Sequence, residues 1–381
     1  MFDGLDQVPW RELTYALSGE ADLPLLFRTL LEAEAAAEAA DELLNEFYHQ
    51  GGSICSAAVE ALPFLMEAAE STRVTCRGDL LEIVGRLAWT AREVAPFRVA
   101  GGWAEAWEAA VPRLIALLDD EDPHLRRASA SVLEQAVTHA DVVVSALRDR
   151  WHAQDRSTRL DQILIIGSLA GSLTAVTLPE TLIWLRDLTS APDEQLRFAA
   201  TLAPRKAMPG RAPSIEPIMT ALSGDLSAWS GSEHFYGPSA WTVRWAIDGL
   251  SGDVDAQEQL CLALLAHPEA ERRQGAIHAA GNVLSVSRRP RRLLPALRDH
   301  AADPDVETRT FSLHLLAAHA RPGGQDADLF ADHLNDEAQA PRSPLVADVA
   351  VWGLAWSGDD RCLPGLAERI DGRRSLLAAH W

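Results

Sequence analysis

Apolar residues return at intervals of three and four along almost the whole chain, as in Leu114, Leu117 and Leu118, then Leu125, Ala128, Val132 and Leu133. This spacing draws one stripe down an α-helix, which turns once every 3.6 residues. Strand alternation is nearly missing. The runs Val142-Val143-Val144 and Ile163-Leu164-Ile165-Ile166 are β-branched, but neither has an alternating polar face or a hairpin dipeptide beside it, so both are read as buried helix. Breaks come at short intervals, at Ser18-Gly19, Gly51-Gly52, Asp122-Pro123, Ala191-Pro192, Ser223-Gly224, Ser251-Gly252, His267-Pro268, Asp303-Pro304, Gly323-Gly324 and Ser357-Gly358. Proline suits the first turn of a helix and glycine the position beyond its end. The pattern predicts about 18 to 20 helices, each of ~10–14 residues.

Several breaks lead into the same sequence: a proline or acidic turn, a small or aliphatic residue, an arginine, then an alanine-rich apolar helix. DDEDPHLRRASASVLEQA at 119–136 is the clearest copy. Others centre on Arg159, Arg197, Arg244, Arg272 and Arg309, and the six arginines from Arg126 onward are spaced by 33, 38, 47, 28 and 37 residues. A two-helix repeat has that average period. A small-residue turn opening a helix also recurs, as LSGEADLPLLFRTL at 17–30, LSGDVDAQEQLCLALL at 250–265 and WSGDDRCLPGLAERI at 356–370.

Both pieces resemble the HEAT-repeat family, including its bacterial variety grouped with phycobilin-lyase-type repeats. The resemblance implies an all-α, right-handed α-α superhelix of stacked hairpins with a continuous core and an extended concave face. In that family the repeated arginine tends to bond acidic or carbonyl groups of the neighbouring repeat; Arg126, Arg197 and Arg309 match the position, and Glu271 displaces the pattern by one residue at Arg272. The segments VPWRELTYALSGEADLP and EFYHQGGSICSAAVEALPFL, within residues 7–66, are similar to a widespread group of bacterial HEAT-repeat proteins with a tyrosine-histidine-glutamine-glycine turn ahead of an alanine-rich helix ending in Pro-Phe-Leu. That likeness implies membership and no chemistry. The expected organisation is a single solenoid over 1–381, with N-terminal capping repeats at 1–70, central repeats at 71–320 carrying an inserted loop near 225–240, and C-terminal capping repeats at 321–381.

Composition narrows the partners. The 381 residues carry 34 Lys+Arg against 55 Asp+Glu, a formal charge of -21, which repels phosphodiester backbones and anionic lipid headgroups. Nucleic acid and membrane are therefore poor partners, and a basic protein or peptide is a good one. The N-terminus has neither a basic start nor an apolar core, and no apolar stretch approaches ~20 residues, so a cytoplasmic location is expected. Cys55, Cys76, Cys261 and Cys362 form no C-x-x-C pair, and buried reduced thiols are expected. Lys206 is the only lysine, and the abundance of Ala, Arg, Leu and Asp fits a GC-rich bacterial coding sequence.

Four features could carry function. Tyr48-His49-Gln50-Gly51-Gly52 reads either as an anion-binding turn before a helix, with His49 as acid or base, or as a glycine C-cap followed by Ser53 as the next N-cap. The stretch 228–245 interrupts the repeat spacing and gathers Trp229, Glu233, His234, Phe235, Tyr236, Trp241 and Trp245; polar-tipped aromatics of this kind anchor interfaces and pockets, although Trp241 and Trp245, four apart, fit a helix core as well. Arg288-Arg289-Pro290-Arg291-Arg292 either grips an acidic group or caps a helix end. Trp10, Trp89, Trp184, Trp352 and Trp356 fall at apolar helical positions and are read as core, and Trp103 and Trp107 either pack between repeats or close one end of an aromatic pocket.

No H-E-x-x-H, no G-x-S-x-G and no close His/Cys cluster occurs, so no metal, cofactor or catalytic residue is assigned. The reading that follows is a non-enzymatic protein- or peptide-binding scaffold, one version being an immunity- or inhibitor-type protein that sequesters a basic toxin. The alternative is an enzyme or small-molecule-binding protein with a pocket lined by His49, Glu233, His234 and Tyr236.

Overall fold

The computed structural model describes the chain apart from Ser18, Glu20, His49, Lys206, residues 208–213, Glu233, Phe235, Tyr236, residues 287–291, Arg342 and residues 371–381. Among the described residues there are nineteen α-helices and nine short 3-10 helices. No strand forms there; Ile54–Val99 and Gln339–Leu345 are isolated bridges. The chain divides into two compact units, one of Met1–Arg211 with Gly231–His234, the other of Ala212–Ser230 with Phe235–Trp381.

The first unit contains α1 (Leu23–Thr29), α2 (Ala36–Tyr48), α3 (Ser56–Glu70), α4 (Arg77–Glu93), α5 (Trp103–Leu117), α6 (Pro123–Leu133), α7 (Ala140–Asp149), α8 (Arg156–Leu169), α9 (Thr177–Leu188) and α10 (Glu194–Leu202). Each odd helix pairs with the even helix that follows it. The even helices also pack in sequence, α2 on α4, α4 on α6, α6 on α8 and α8 on α10. The second unit contains α11 (Ile215–Ser223), α12 (Ser239–Asp248), α13 (Val254–Leu265), α14 (Ala270–Val286), α15 (Leu293–Asp299), α16 (Val306–Ala318), α17 (Ala327–Ala331), α18 (Val346–Ser357) and α19 (Leu363–Ile370). There α12, α14, α16 and α18 form one layer, and α11, α13 and α15 stack in the other. Each unit is thus a layered stack of helical hairpins, the arrangement the apolar period predicts.

Local sequence sets the ends of these helices. Aspartate caps six of the α-helices: Asp22, Asp122, Asp155, Asp193, Asp253 and Asp305 each accept a backbone N–H of the first turn. Gly358, at φ 68, closes α18 in the left-handed conformation that glycine adopts without a Cβ penalty. Gly275 answers a packing need instead, because a Cβ on it would run into the Ala240 carbonyl oxygen where α14 crosses α12. The Ile163–Ile166 run is fully buried in α8, as expected, whereas Val142 lies exposed on α7 while Val143 and Val144 are buried.

The recurring arginines do hold the stack, in part differently from the expected way. Arg126 Nη1 donates to the carbonyls of Asp120 and Glu121 (2.8 and 3.1 Å), Arg197 Nη1 to those of Ala191 and Pro192 (2.8 and 2.9 Å), and Arg273 Nη1 to those of His267 and Pro268 (3.0 and 2.7 Å). Arg159 reaches the Trp151 and His152 carbonyls, and Arg309 that of Asp303. These carbonyls belong to the turn of the arginine's own hairpin, where helix ends leave acceptors without partners. For some of the arginines the neighbouring repeat supplies a carboxylate, as the resemblance implies. Arg273 makes a two-pronged pair with Asp303 (2.9 and 2.8 Å), Arg309 meets Asp336 at 3.0 Å, and Arg77, bonded to the Ala69 carbonyl, pairs with Asp120. Each of these aspartates also accepts the N–H two residues after it, fixing the next turn.

Two of the expected arginines fall outside this scheme. At the Glu271 offset the strut is Arg273, not Arg272, because Arg273 has the spacing that faces its turn. Buried Arg272 donates from Nη2 to the Gly224 carbonyl at 2.9 Å. Arg244 is exposed and, among the described residues, pairs with Asp248, one turn along its own helix, at 3.5 Å.

Candidate functional site

The sequence-predicted residues separate into three groups. His49, Glu233, Phe235, Tyr236, Arg288 and Arg289 lie outside the described residues, so the pocket expected among His49, Glu233, His234 and Tyr236 does too, apart from His234.

Tyr48 and Gln50 belong to the first unit. Tyr48 ends α2 with the Arg86 guanidinium 5.4 Å from its ring centroid. Gln50, Gly51 and Gly52 all have positive φ (56°, 70° and 96°), which tightens the chain into a turn. That turn does not open a helix. Ile54 first pairs with the 98–100 segment, donating to the Arg98 carbonyl at 2.8 Å and accepting from the Ala100 amide at 3.0 Å, and α3 begins only at Ser56. Ser53 is therefore not the N-cap. Cys55 stands in that position without a side-chain bond, and Thr14 takes over: its hydroxyl accepts from the Ser56 amide at 3.0 Å and its carbonyl from the Ala57 amide at 3.1 Å. With its first amides satisfied from residue 14, α3 offers no anion site to the glycine turn. Nor does α3 stop at Pro63-Phe64-Leu65, since it continues to Glu70 with Pro63 inside.

In the 228–245 stretch, Trp229 and His234 are both committed to packing. Trp229 is 1% exposed, a core residue and not a contact anchor. His234 fastens the Gly231–His234 tetrapeptide onto α6 and α8. Its Nδ1 lies 3.2 Å from Asp161 Oδ1, and its Nε2 lies 3.2 Å from Oε2 of Glu134, the residue that caps α6. The Ser232 hydroxyl also donates to Asp161, the His234 amide donates to Ser232 Oγ at 3.1 Å, and Arg127 donates to the Gly231 carbonyl. Burial works against a charged imidazole here, but the hydrogen bonds from Asp161 and Glu134, with their negative charge, outweigh it and push the His234 pKa up to about 10. At neutral pH both ring nitrogens thus carry protons and both face carboxylates. Such an imidazolium has no lone pair with which to abstract a proton, so the geometry makes His234 a clasp and removes it as a general base.

Sequence reasoning named His234 and missed its partners. Asp161 had left a signal, a lone acid inside LDQILIIGSL at 160–169, where nearly every position is buried. A charge in such a run needs a partner.

The third group lies on the second unit. Trp241 is 56% exposed on α12, and Trp356, expected in the core, is 57% exposed on α18. Between them in the same layer, His278 of α14 meets Phe311 of α16 edge-on at 4.0 Å, His314 of α16 stacks on Trp352 of α18 at 5.0 Å, and Trp352 meets Trp356 at 6.4 Å. Burial pushes the His314 pKa down to about 4, so this ring stays neutral and stacks as an aromatic. Rings thus run across α14, α16 and α18, and Trp241 adds a separate exposed ring on α12 of the same layer. In the first unit Trp89, also expected in the core, is 49% exposed on α4, while Trp103 and Trp107 stack at 6.2 Å as packing partners. The three- and four-residue period that marks core positions cannot tell a Trp on the stripe from one a residue beside it.

Among the described residues no group of His, Cys, Asp and Glu side chains could hold a metal ion, and no helix is long and apolar enough to cross a membrane. All four cysteines are free and buried.

No protein-family model matches the chain, and neither does any curated protein. Among solved structures it is similar to an engineered protein, at 16% identity and a TM-score of 0.37 over 91% of this chain and 92% of that one. It is also similar to a chain of the Pds5–Scc1 complex, whose structure was described for its implications for cohesin function, at 10% identity and a TM-score of 0.32 over 87% of this chain and 53% of that one. Likenesses this distant carry no activity across.

Proposed function

We propose that the chain is a non-enzymatic scaffold of the bacterial HEAT-like kind that binds a basic protein or peptide in the cytoplasm, as an immunity- or inhibitor-type protein would. The observation that carries this reading is the run of rings across α14, α16 and α18, with Trp356 more than half exposed at one end and Trp241 equally exposed on α12 of the same layer. Tryptophan is expensive to leave in water and is the residue type most enriched where interfaces concentrate their energy. The net charge of -21 supports a basic partner by long-range attraction.

Affinity capture from the native cell with wild type and with the Trp241→Ala/Trp356→Ala variant, each at low and high salt, tests the reading. The expected result is a basic protein retained by wild type, weakened by salt and lost from the variant. The same retained proteins in all four experiments would end it.

A further inference from the structure

The first unit contains a cleft that the ring row does not account for. Its volume is about 550 Å³, and it opens between α7 and α9, with Asp141, Arg148, Asp149, Trp151, Glu180 and Trp184 on its walls. Trp151 packs edge-on against Trp184 at 5.0 Å and is itself buried, so it props the half-buried Trp184 in place. Asp141 is fixed at one end by donors from Thr174, whose amide and hydroxyl both lie 3.2 Å from Oδ1. Asp149 and Glu180 are exposed and have no hydrogen bond or ion pair with any described residue.

The cleft already displays the interaction it favours. The Arg148 guanidinium sits 5.7 Å from the Trp184 ring centroid, its donors making no hydrogen bond to any described residue. A cation thus rests on the indole face with no carboxylate partner among the described residues, while Glu180 stands without an ion pair and Asp149 meets only the field of neighbouring Arg150 in the same cleft. Three acids against one arginine leave the walls net negative, and Val142 and Ile183 leave exposed aliphatic surface on the same two helices.

We propose that this cleft receives an arginine side chain from the basic partner, its guanidinium held by Glu180 and Asp149 and stacked on Trp184 in place of Arg148. Arginine fits better than lysine, because a planar guanidinium both stacks on an aromatic face and donates in pairs to carboxylates. The inference rests on the reading of the chain as a receptor for a basic partner and adds which side chain is recognised and where.

The test uses the full chain and small probes, so it does not depend on finding the partner. Nα-acetyl-arginine methylamide (one positive charge), the corresponding lysine compound and Nα-acetyl-glutamate methylamide (one negative charge) are titrated into protein labelled with 5-fluorotryptophan. The Trp184 fluorine resonance is assigned by its disappearance in Trp184→Phe. The expected result is a saturable shift of that resonance by the arginine compound, a weaker one by lysine and none by glutamate. Asp149→Asn with Glu180→Gln, two exposed sites without a hydrogen bond or ion pair to any described residue, should weaken the arginine compound by about tenfold or more. Arg148→Gln should tighten it severalfold, since it removes the resident competitor and a like charge. A Trp184 resonance indifferent to the arginine compound overturns the proposal, as does a preference for glutamate or a weakening by Arg148→Gln. If the probe shifts Trp184 but no basic protein is ever captured, the partner reading fails and the cleft assignment stands. If a basic protein is captured but no probe shifts Trp184, the cleft assignment fails and the partner reading stands.

Discussion

His234 shows how far one side chain's environment decides its use. Its folded pKa of about 10 lies above the 6.5 of a free imidazole, so its clasp stabilises the fold fully below pH 6.5. That contribution declines as pH rises and is gone above about 10. His234→Gln keeps hydrogen bonding without the charge, and should cost about 1.5–3 kcal/mol in denaturant unfolding at pH 6, the range for bonds to charged groups. The gap from wild type should close as pH approaches 10, and a gap that stays constant from pH 6 to 10 would show that the charge contributes nothing. Sequence could propose His234 as a site residue because it stands beside aromatics in a long inter-repeat stretch. It could not supply the role, which depends on Glu134 and Asp161, 100 and 73 residues earlier in the chain.

At the scale of the element, what was legible was whatever is local. The helices, their aspartate and proline starts and the arginine early in α4, α6, α8, α10, α14 and α16 all sit within one turn of the residues that cause them. The Arg272 assignment erred by one position at the Glu271 offset, because the strut is whichever arginine can reach the turn carbonyls, and that is Arg273. The carboxylate across the joint was not legible, since nothing in the sequence links Arg273 to Asp303. That link has a consequence for stability. Burial would raise the Asp303 pKa, but hydrogen bonds from Arg273 and His300 hold it below the usual carboxylate range. Asp303→Ala leaves the Arg273 guanidinium buried without its counter-charge and should cost about 3–5 kcal/mol. Arg244→Ala, on an exposed arginine that motif spacing would rank equally, should stay within about 0.5 kcal/mol. Urea unfolding of the two variants decides which arginines hold the stack; equal costs would refute the distinction.

For the molecule as a whole, charge dominates, and its effects on folding and on binding have opposite signs. A net -21 makes the isolated chain repel itself, so raising salt from low to moderate concentration should increase the melting temperature by screening. The same salt should loosen a basic partner. Calorimetry of the free chain and of the captured complex over one salt series measures both, and a complex that grows tighter as salt rises would contradict the electrostatic account. Helical class and acidity were readable from the sequence because both are sums over many residues. The positions of the exposed rings and of the cleft were not, because each depends on which face a helix turns to its neighbours.

The joints described above also define a unit of growth. Because an arginine staples the turn within its hairpin and reaches forward to an aspartate that sets the next one, an evolutionary duplication running from one such arginine to the residue before the next carries a matched plug and socket. A copy cut between the two would strand a buried cation on one side and a buried acid on the other. The array can therefore lengthen by whole hairpins and resists lengthening by anything less.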